Sequence, residues 1–245
     1  MIKRKNLIIT GEEEKPIALD IFLAERKQPL VIYAHGFNGF KDWGNFDLIA
    51  TQFAEAGFAF LKFNFSHNGT TPESPEDFVD LDAYGQNNYT KELADLQTVI
   101  DWALSNQNPQ RRFIDEMKIY LIGHSRGGGI VLLKAAAEKR VKAVATWASV
   151  AECKTPWGGW PEERLKQWKT TGVDYYINSR TKQQLPLYYQ LLEDYQNNKE
   201  RLNILAAVQQ LKIPLLICHG TSDEAVPVQK AHLLKQAAKN AELFL

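Results

Sequence analysis

The sequence predicts an α/β fold, a mostly parallel sheet with helices on both faces. Three observations carry that reading. Short continuous apolar runs recur at Leu30–Ala34, Phe58–Phe65, Ile119–Ile122, Val141–Trp147 and Ile213–Cys218. Strands covered on both sides look like this, because no position needs to face water. Helix-length segments separate the runs, and repeated strand–helix alternation implies parallel strands joined by right-handed crossovers. The third is bulk composition: 245 residues, 44% apolar and 24% charged, suit a single domain of this class and exclude wholesale disorder.

Taken in order, the chain opens with a hairpin. Asn6–Thr10 is short and apolar, Gly11–Lys15 is a polar turn, and Ile17–Leu23 alternates. Helices are expected near Asp47–Ala56, Thr90–Ser105, Gly127–Lys139 and Val228–Asn240. In the second of these, Leu93, Leu96, Val99, Ile100 and Ala103 recur at helical spacing and mark a core face. One stretch, about 151–210, breaks the rhythm. It is rich in Trp, Tyr, Lys and Gln and shows no clear buried strand. Its aromatics argue against disorder, so the expectation is a helical cap inserted over a site. Trp157, Trp160 and Trp168 could stack a ligand ring or form the cap's own core, and the sequence favours neither.

Charge and cysteine content exclude several classes. Twenty-nine basic residues balance 29 acidic ones, which leaves no overall field to hold nucleic acid. Two cysteines, Cys153 and Cys218, cannot build a disulfide framework or a four-cysteine zinc site. Asp77, Asp80 and Asp82 lack the glycine and terminal glutamate of a calcium loop and read as a solvated segment, and Arg111-Arg112 reads as surface. The N-terminal apolar run, Leu7-Ile8-Ile9, is too short for a signal peptide, and no run is long enough to span a membrane. The expectation is a cytoplasmic protein with no membrane or nucleic-acid partner, no metal and no cofactor.

The chemistry concentrates at Gly123-His124-Ser125-Arg126-Gly127, a G-x-S-x-G pattern with a strand before it and a helix after it. Such a turn lifts the serine hydroxyl clear of the sheet, and the helix N-terminus aims N–H groups where an oxyanion would form. Gly-rich turns also bind phosphates, but these glycines follow neither the dinucleotide nor the P-loop spacing. Ser125 is therefore the expected nucleophile and the Arg126 N–H one oxyanion donor. The loop after the third strand, His35-Gly36-Phe37-Asn38-Gly39, should supply a second donor from the Phe37 N–H, with His35 bonded to loop backbone. The acid should follow a later strand. Asp223 is the expected residue, with Glu224 as rival and a surface helix cap as the alternative role.

These residues, with Phe63-Asn64-Phe65-Ser66-His67-Asn68-Gly69 and His219-Gly220-Thr221-Ser222-Asp223-Glu224-Ala225-Val226-Pro227, resemble the α/β-hydrolase superfamily. The resemblance is to its dienelactone-hydrolase-like and cinnamoyl (feruloyl) esterase branch and spans nearly the whole chain. Asn178-Ser179-Arg180-Thr181 and Leu185-Pro186-Leu187 are similar to that branch's cap region. The resemblance implies a serine hydrolase of carboxylic esters without cofactor, and an aromatic cap points to aromatic esters. It also implies a catalytic histidine after the last strand. His35, His67, His124, His219 and His232 all lie earlier, and none matches that position. Glu242-Leu243-Phe244-Leu245 looks like the start of the last strand, so that strand and a final helix are expected to be missing. Loss of a triad base costs on the order of 10⁶ in turnover, so the chain as written is expected to be nearly inactive. A shortened chain, a premature stop and a natural pseudo-enzyme each account for this. Two other readings stand beside the esterase: a non-catalytic binding module, and a prolyl-oligopeptidase-like peptidase, which too few residues before Leu30 disfavour.

Overall fold

Strands buried on both faces must pair laterally, and here they pair into one eight-stranded sheet. A computed structural model describes residues Met1–Leu245. In chain order the elements are β1 (Ile2–Thr10), β2 (Pro16–Leu23), β3 (Gln28–Ala34), α1 (Phe46–Glu55), β4 (Ala59–Phe63), α2 (Leu81–Gln86), α3 (Tyr89–Leu104), β5 (Ile114–His124), α4 (Arg126–Ala137) and β6 (Val141–Trp147). There follow α5 (Glu162–Thr171), β7 (Val173–Ile177), β8 (Gln184–Tyr188), α6 (Gln190–Asn197), α7 (Ile204–Gln210), β9 (Leu215–Cys218), α8 (Gln229–Ala237) and β10 (Ala241–Phe244). The sheet order is β1-β2-β4-β3-β5-β6-β9-β10. β1 and β2 pair antiparallel, as do β2 and β4, and every pair from β4 to β10 is parallel. The larger core packs residues of α3, α4, α7 and α8 on one face of the sheet. A smaller one on the other face joins Phe46, Ala50 and Ala54 of α1 to Val31, Tyr33, Phe60 and Ile122. No helix is long and apolar enough to cross a membrane.

β1 and β2 form the expected hairpin, and because β2 is an interior strand every residue from Ile17 to Leu23 is buried, Asp20 included. Three sequence expectations need correction. The insertion is not all helical. Gly172, at φ 75°, ends α5, and the β-branched and aromatic Val173–Ile177 then pairs antiparallel with Gln184–Tyr188. Nor does the insertion run to 210, since Ile204 of α7 packs on Gly129 of α4 in the main helical layer. Finally, the strand expected to be missing is present: Ala241–Phe244 pairs in parallel with Leu215–Cys218. Trp157 and Trp168 are core residues of the insertion, and the Trp168 indole N–H donates to the Leu187 carbonyl at 2.6 Å.

Buried Asp20 anchors an ionic network that holds the loop leaving β3. Lys41 Nζ lies 2.9 Å from its carboxylate and Lys62 Nζ 3.2 Å, with both lysines fully buried. Asp42 bonds both ammonium groups, Asp47 at the start of α1 accepts from Lys62 at 2.5 Å, and the Asn6 N–H donates to Asp20 at 2.8 Å. Three converging carboxylates would otherwise repel, and the two ammonium groups lie among them. The Lys41 N–H also donates to Asn64 Oδ1 at 2.6 Å, which ties the loop to the end of β4. Asp20→Asn leaves Lys41 with Asp42 and Lys62 with Asp42 and Asp47 but removes the fully buried carboxylate both share, so it should lower stability by about 1.5–3 kcal/mol in urea denaturation. Exposed Arg112→Gln should change it by less than about 0.5 kcal/mol.

Candidate active site

Ser125 sits between the end of β5 and the start of α4 at φ 53°, ψ −118°. A non-glycine residue held there stores about 1–3 kcal/mol, so its surroundings must over-determine it. They do so through backbone crowding. A Cβ on Gly123 would meet the Gly127 carbonyl at 2.3 Å, and one on Gly127 would meet the His35 carbonyl at 2.3 Å. The Ser125 N–H donates to the Trp147 carbonyl at 2.9 Å, and its own carbonyl accepts from Gly128 (3.0 Å) and Val150 (3.2 Å). The residue is half-buried and faces a groove of about 770 Å³.

The loop after β3 passes against this turn. A Cβ on Gly36 would lie 3.0 Å from Ser125 Cβ, so the residue before Phe37 packs directly on the serine. The Phe37 amide donates to no group of the chain. Arg126 opens α4, and its N–H has no carbonyl four residues back to accept it. The loop is held from below by His35. Its Nδ1–H donates to the Gly36 carbonyl at 2.9 Å, and its Nε2 accepts from the Phe65 N–H at 3.3 Å. Burial pulls its pKa down to about 4, so the ring stays neutral. Asn38, at φ 56°, accepts from the Tyr84 hydroxyl.

The Arg126 side chain has a role that no sequence pattern announces. Its guanidinium is buried, donates to Glu92 at 3.0 Å and to the Thr155 carbonyl at 3.1 Å, and stacks on Tyr89 at 3.9 Å. It also lies 6.0 Å from the Phe37 ring. One side chain thus joins α3, the start of the insertion and the loop beside Ser125.

Asp223 lies in the turn after β9, half-buried, and accepts the Ala225 and Val226 N–H groups, both at 2.9 Å. Its other oxygen is 3.9 Å from His219 Nε2, which instead donates to the Val226 carbonyl at 2.7 Å. Burial pulls His124 below its ordinary value, with the Asp223 carboxylate acting the other way. Glu224 is exposed. None of the five histidines hydrogen-bonds the Ser125 hydroxyl: His35, His67 and His219 have other partners, and His124 and His232 have none. A second set of suggestive residues stands elsewhere. Ser66 Oγ is 2.8 Å from His67 Nδ1, and His67 Nε2 is 3.2 Å from Glu13. Ser66 is 3% exposed and does not line the groove that Ser125 faces.

The groove over Ser125 has aromatic walls: Tyr33, Phe40 and Phe46 from the core, exposed Trp43 from the loop after β3, and Tyr176 from the insertion. Tyr176 meets Phe37 edge-on at 5.2 Å. Asp80, in the loop read as solvated, caps α2 through the Ala83 N–H and pairs with Lys15 at 2.7 Å, and Asp82 accepts from the Tyr188 hydroxyl.

A family model described as BD-FAE matches residues 19–238. Among curated relatives, an uncharacterized 31.7 kDa protein from the traX-finO intergenic region of Escherichia coli is 31% identical over 51% of this chain and 39% of its own length. The quorum-quenching protein AidA of Acinetobacter baumannii is 28% identical over 47% of this chain and 34% of its own. The matched region thus spans well under half of those relatives. Est1E from Butyrivibrio proteoclasticus, solved with ferulic acid bound, shares the fold with a TM-score of 0.71 at 21% identity, covering 97% of this chain and 87% of Est1E. Dienelactone hydrolase from Anabaena variabilis superimposes with a TM-score of 0.63 at 16% identity, over 100% of this chain and 85% of that one.

The neutral, buried state of His35 sets a pH signature. Its folded pKa, about 4, lies below the ordinary 6.5, so the unfolded chain takes up the proton first. The resulting stability is intact above about pH 6.5 and is lost as pH falls toward 4, by at most about 3 kcal/mol. His35→Gln should flatten the stability–pH slope in that window relative to the parent, as read from denaturation midpoints at pH 7, 6, 5 and 4.

Proposed function

The chain belongs to the BD-FAE family of carboxylic ester hydrolases, and we propose that it acts on small-molecule esters through Ser125 as nucleophile. The observation that carries this reading is the strained Ser125 turn, which meets a groove beside two uncommitted amides. In this reading Ser125 Oγ attacks the ester carbonyl and its proton passes to a base. The carbonyl oxygen gathers negative charge between the Phe37 and Arg126 N–H groups. The alcohol leaves with a proton, and water then releases the acid by the reverse path. Asp223 is the carboxylate that would orient the base.

The base is the step these residues do not fill. A serine hydroxyl without an adjacent general base is a weak nucleophile at neutral pH. Since no histidine of the chain bonds Ser125, turnover by this chain alone is slow, and a free imidazole entering the groove should raise it. Methyl ferulate hydrolysis by the 245-residue chain should increase at least tenfold with added imidazole, beyond the imidazole-only rate. A fluorophosphonate should label the protein faster under the same conditions, and Ser125→Ala should abolish both effects. Equal rates for Ser125→Ala and parent, with no labelling, would sink the esterase and leave a binding groove.

A further inference from the structure

The groove above Ser125 is more positive than the chain that builds it. The whole chain is neutral, with 29 basic and 29 acidic residues. The groove lining holds three cationic side chains, Lys154, Arg180 and Lys230, and a single carboxylate, Glu152. Glu152 accepts from Lys154 at 2.7 Å and from Lys230 at 2.9 Å. Those two bonds hold its carboxyl at about 2, so it is ionised and shared. One carboxylate between two ammonium groups leaves one positive charge over. Arg180 adds another, because no carboxylate lies within ion-pair distance of its guanidinium. It faces the Phe40 ring instead, 5.9 Å from the centroid.

Arg180 is carried on a shaped turn. It belongs to the connection between β7 and β8, where Asn178 is buried and its Oδ1 accepts the N–H groups of Arg180 (3.0 Å) and Thr181 (3.2 Å). The Asn178 N–H donates to the Gln183 carbonyl at 2.9 Å, and Gln183 Nε2 donates to the Phe78 carbonyl at 2.8 Å. The turn is therefore pinned to itself and to the body of the protein. A guanidinium offers a planar fork that matches a carboxylate, and an unpaired one among aromatic walls suits a flat acid. A concave site of one sign also concentrates ligands of the other.

We propose that the ester bound over Ser125 carries a carboxylate on its aromatic portion, and that Arg180 is the residue that recognises it. Lys154 and Lys230 add to the attraction through their uncompensated charge. The assignment to an ester rests on the reading of Ser125 as nucleophile; the charge preference of the groove does not.

Binding to the Ser125→Ala protein tests this without turnover. Methyl 4-carboxycinnamate and methyl 4-methylcinnamate have nearly the same shape and differ by one negative charge. By calorimetry at low salt the anionic ester should bind about tenfold more tightly than the neutral one. That ratio should shrink at 0.5 M salt, since exposed charges are screened over about 4–5 Å there. Arg180→Gln should cut the ratio at least fivefold by weakening the anionic ester far more than the neutral one, whose remaining affinity reports an intact groove. Arg180→Lys should keep part of the preference. Equal affinities for the two esters, no binding of the anionic one, or a ratio untouched by Arg180→Gln would overturn the proposal. Fluorophosphonate labelling of Ser125 with no charge preference would overturn this proposal alone. A charge preference without labelling would keep the anion site and remove the hydrolase.

Discussion

Ser125 can hold its left-handed conformation because neighbouring backbones come closer to one another than a Cβ would permit. Gly123 faces the Gly127 carbonyl, Gly127 faces the His35 carbonyl, and Gly36 faces Ser125 itself. Each contact joins a different pair of segments: β5 to α4, α4 to the end of β3, and the loop after β3 to the serine. The strain of a positive φ, about 1–3 kcal/mol, is offset by the packing of parallel strands around it. Relaxing the turn would require moving β3, β5 and α4 together. The same crowding holds the segments that carry Phe37 and Arg126 against Ser125, so the proposed nucleophile and oxyanion donors share one constraint.

The loop after β3 needs a further restraint, because a segment rich in glycine is entropically free. It is fastened at three depths. Neutral His35 bonds backbone on both sides, the buried Lys41–Asp20 pair anchors its far end, and Arg126 supports Phe37 from beneath. Buried ion pairs of this kind add little net stability, since desolvation consumes most of the attraction. What they do supply is a penalty against any arrangement that separates the partners. Lys41 cannot leave Asp20 without stranding a charge in the sheet, and the loop is confined accordingly.

Much of this was legible. Continuous apolar runs located the parallel strands, with Val141–Trp147 matched residue for residue, because burial on both faces forbids polar interruptions. The strand–turn–helix context around Ser125 was readable for a related reason: the glycines there answer to local backbone geometry. Legibility failed where long-range contact decides. Asp20 looked like the polar side of an alternating strand, and its lysine partners lie 21 and 42 residues away in sequence. Nothing near Arg126 announces Glu92 or Thr155. β7 and β8 are short, half-exposed and carry Asp, Gln and Pro, so their pairing rests on the hairpin rather than on any run. The strand Ala241–Phe244 was legible in part: Glu242–Leu245 read as a strand's start, and the pairing with Leu215–Cys218 that makes it a full partner is a long-range contact.

Two serines in this chain show why residue types alone do not make a site. Ser66 has a histidine on its hydroxyl and a glutamate behind the histidine, yet it lies buried in the loop after β4. Its backbone N–H is spent on Asp95, whose own pKa burial raises to about 6. Ser125 has the opposite set: access, strain and two open amides, without a histidine at its hydroxyl. Of the two deficits, only the second can be remedied from solution, because a small base can enter a groove while no solute can unbury a loop. On the proposed mechanism the amides beside Ser125 stand ready before any base arrives, which favours the groove there over the better-partnered Ser66 as the place of reaction.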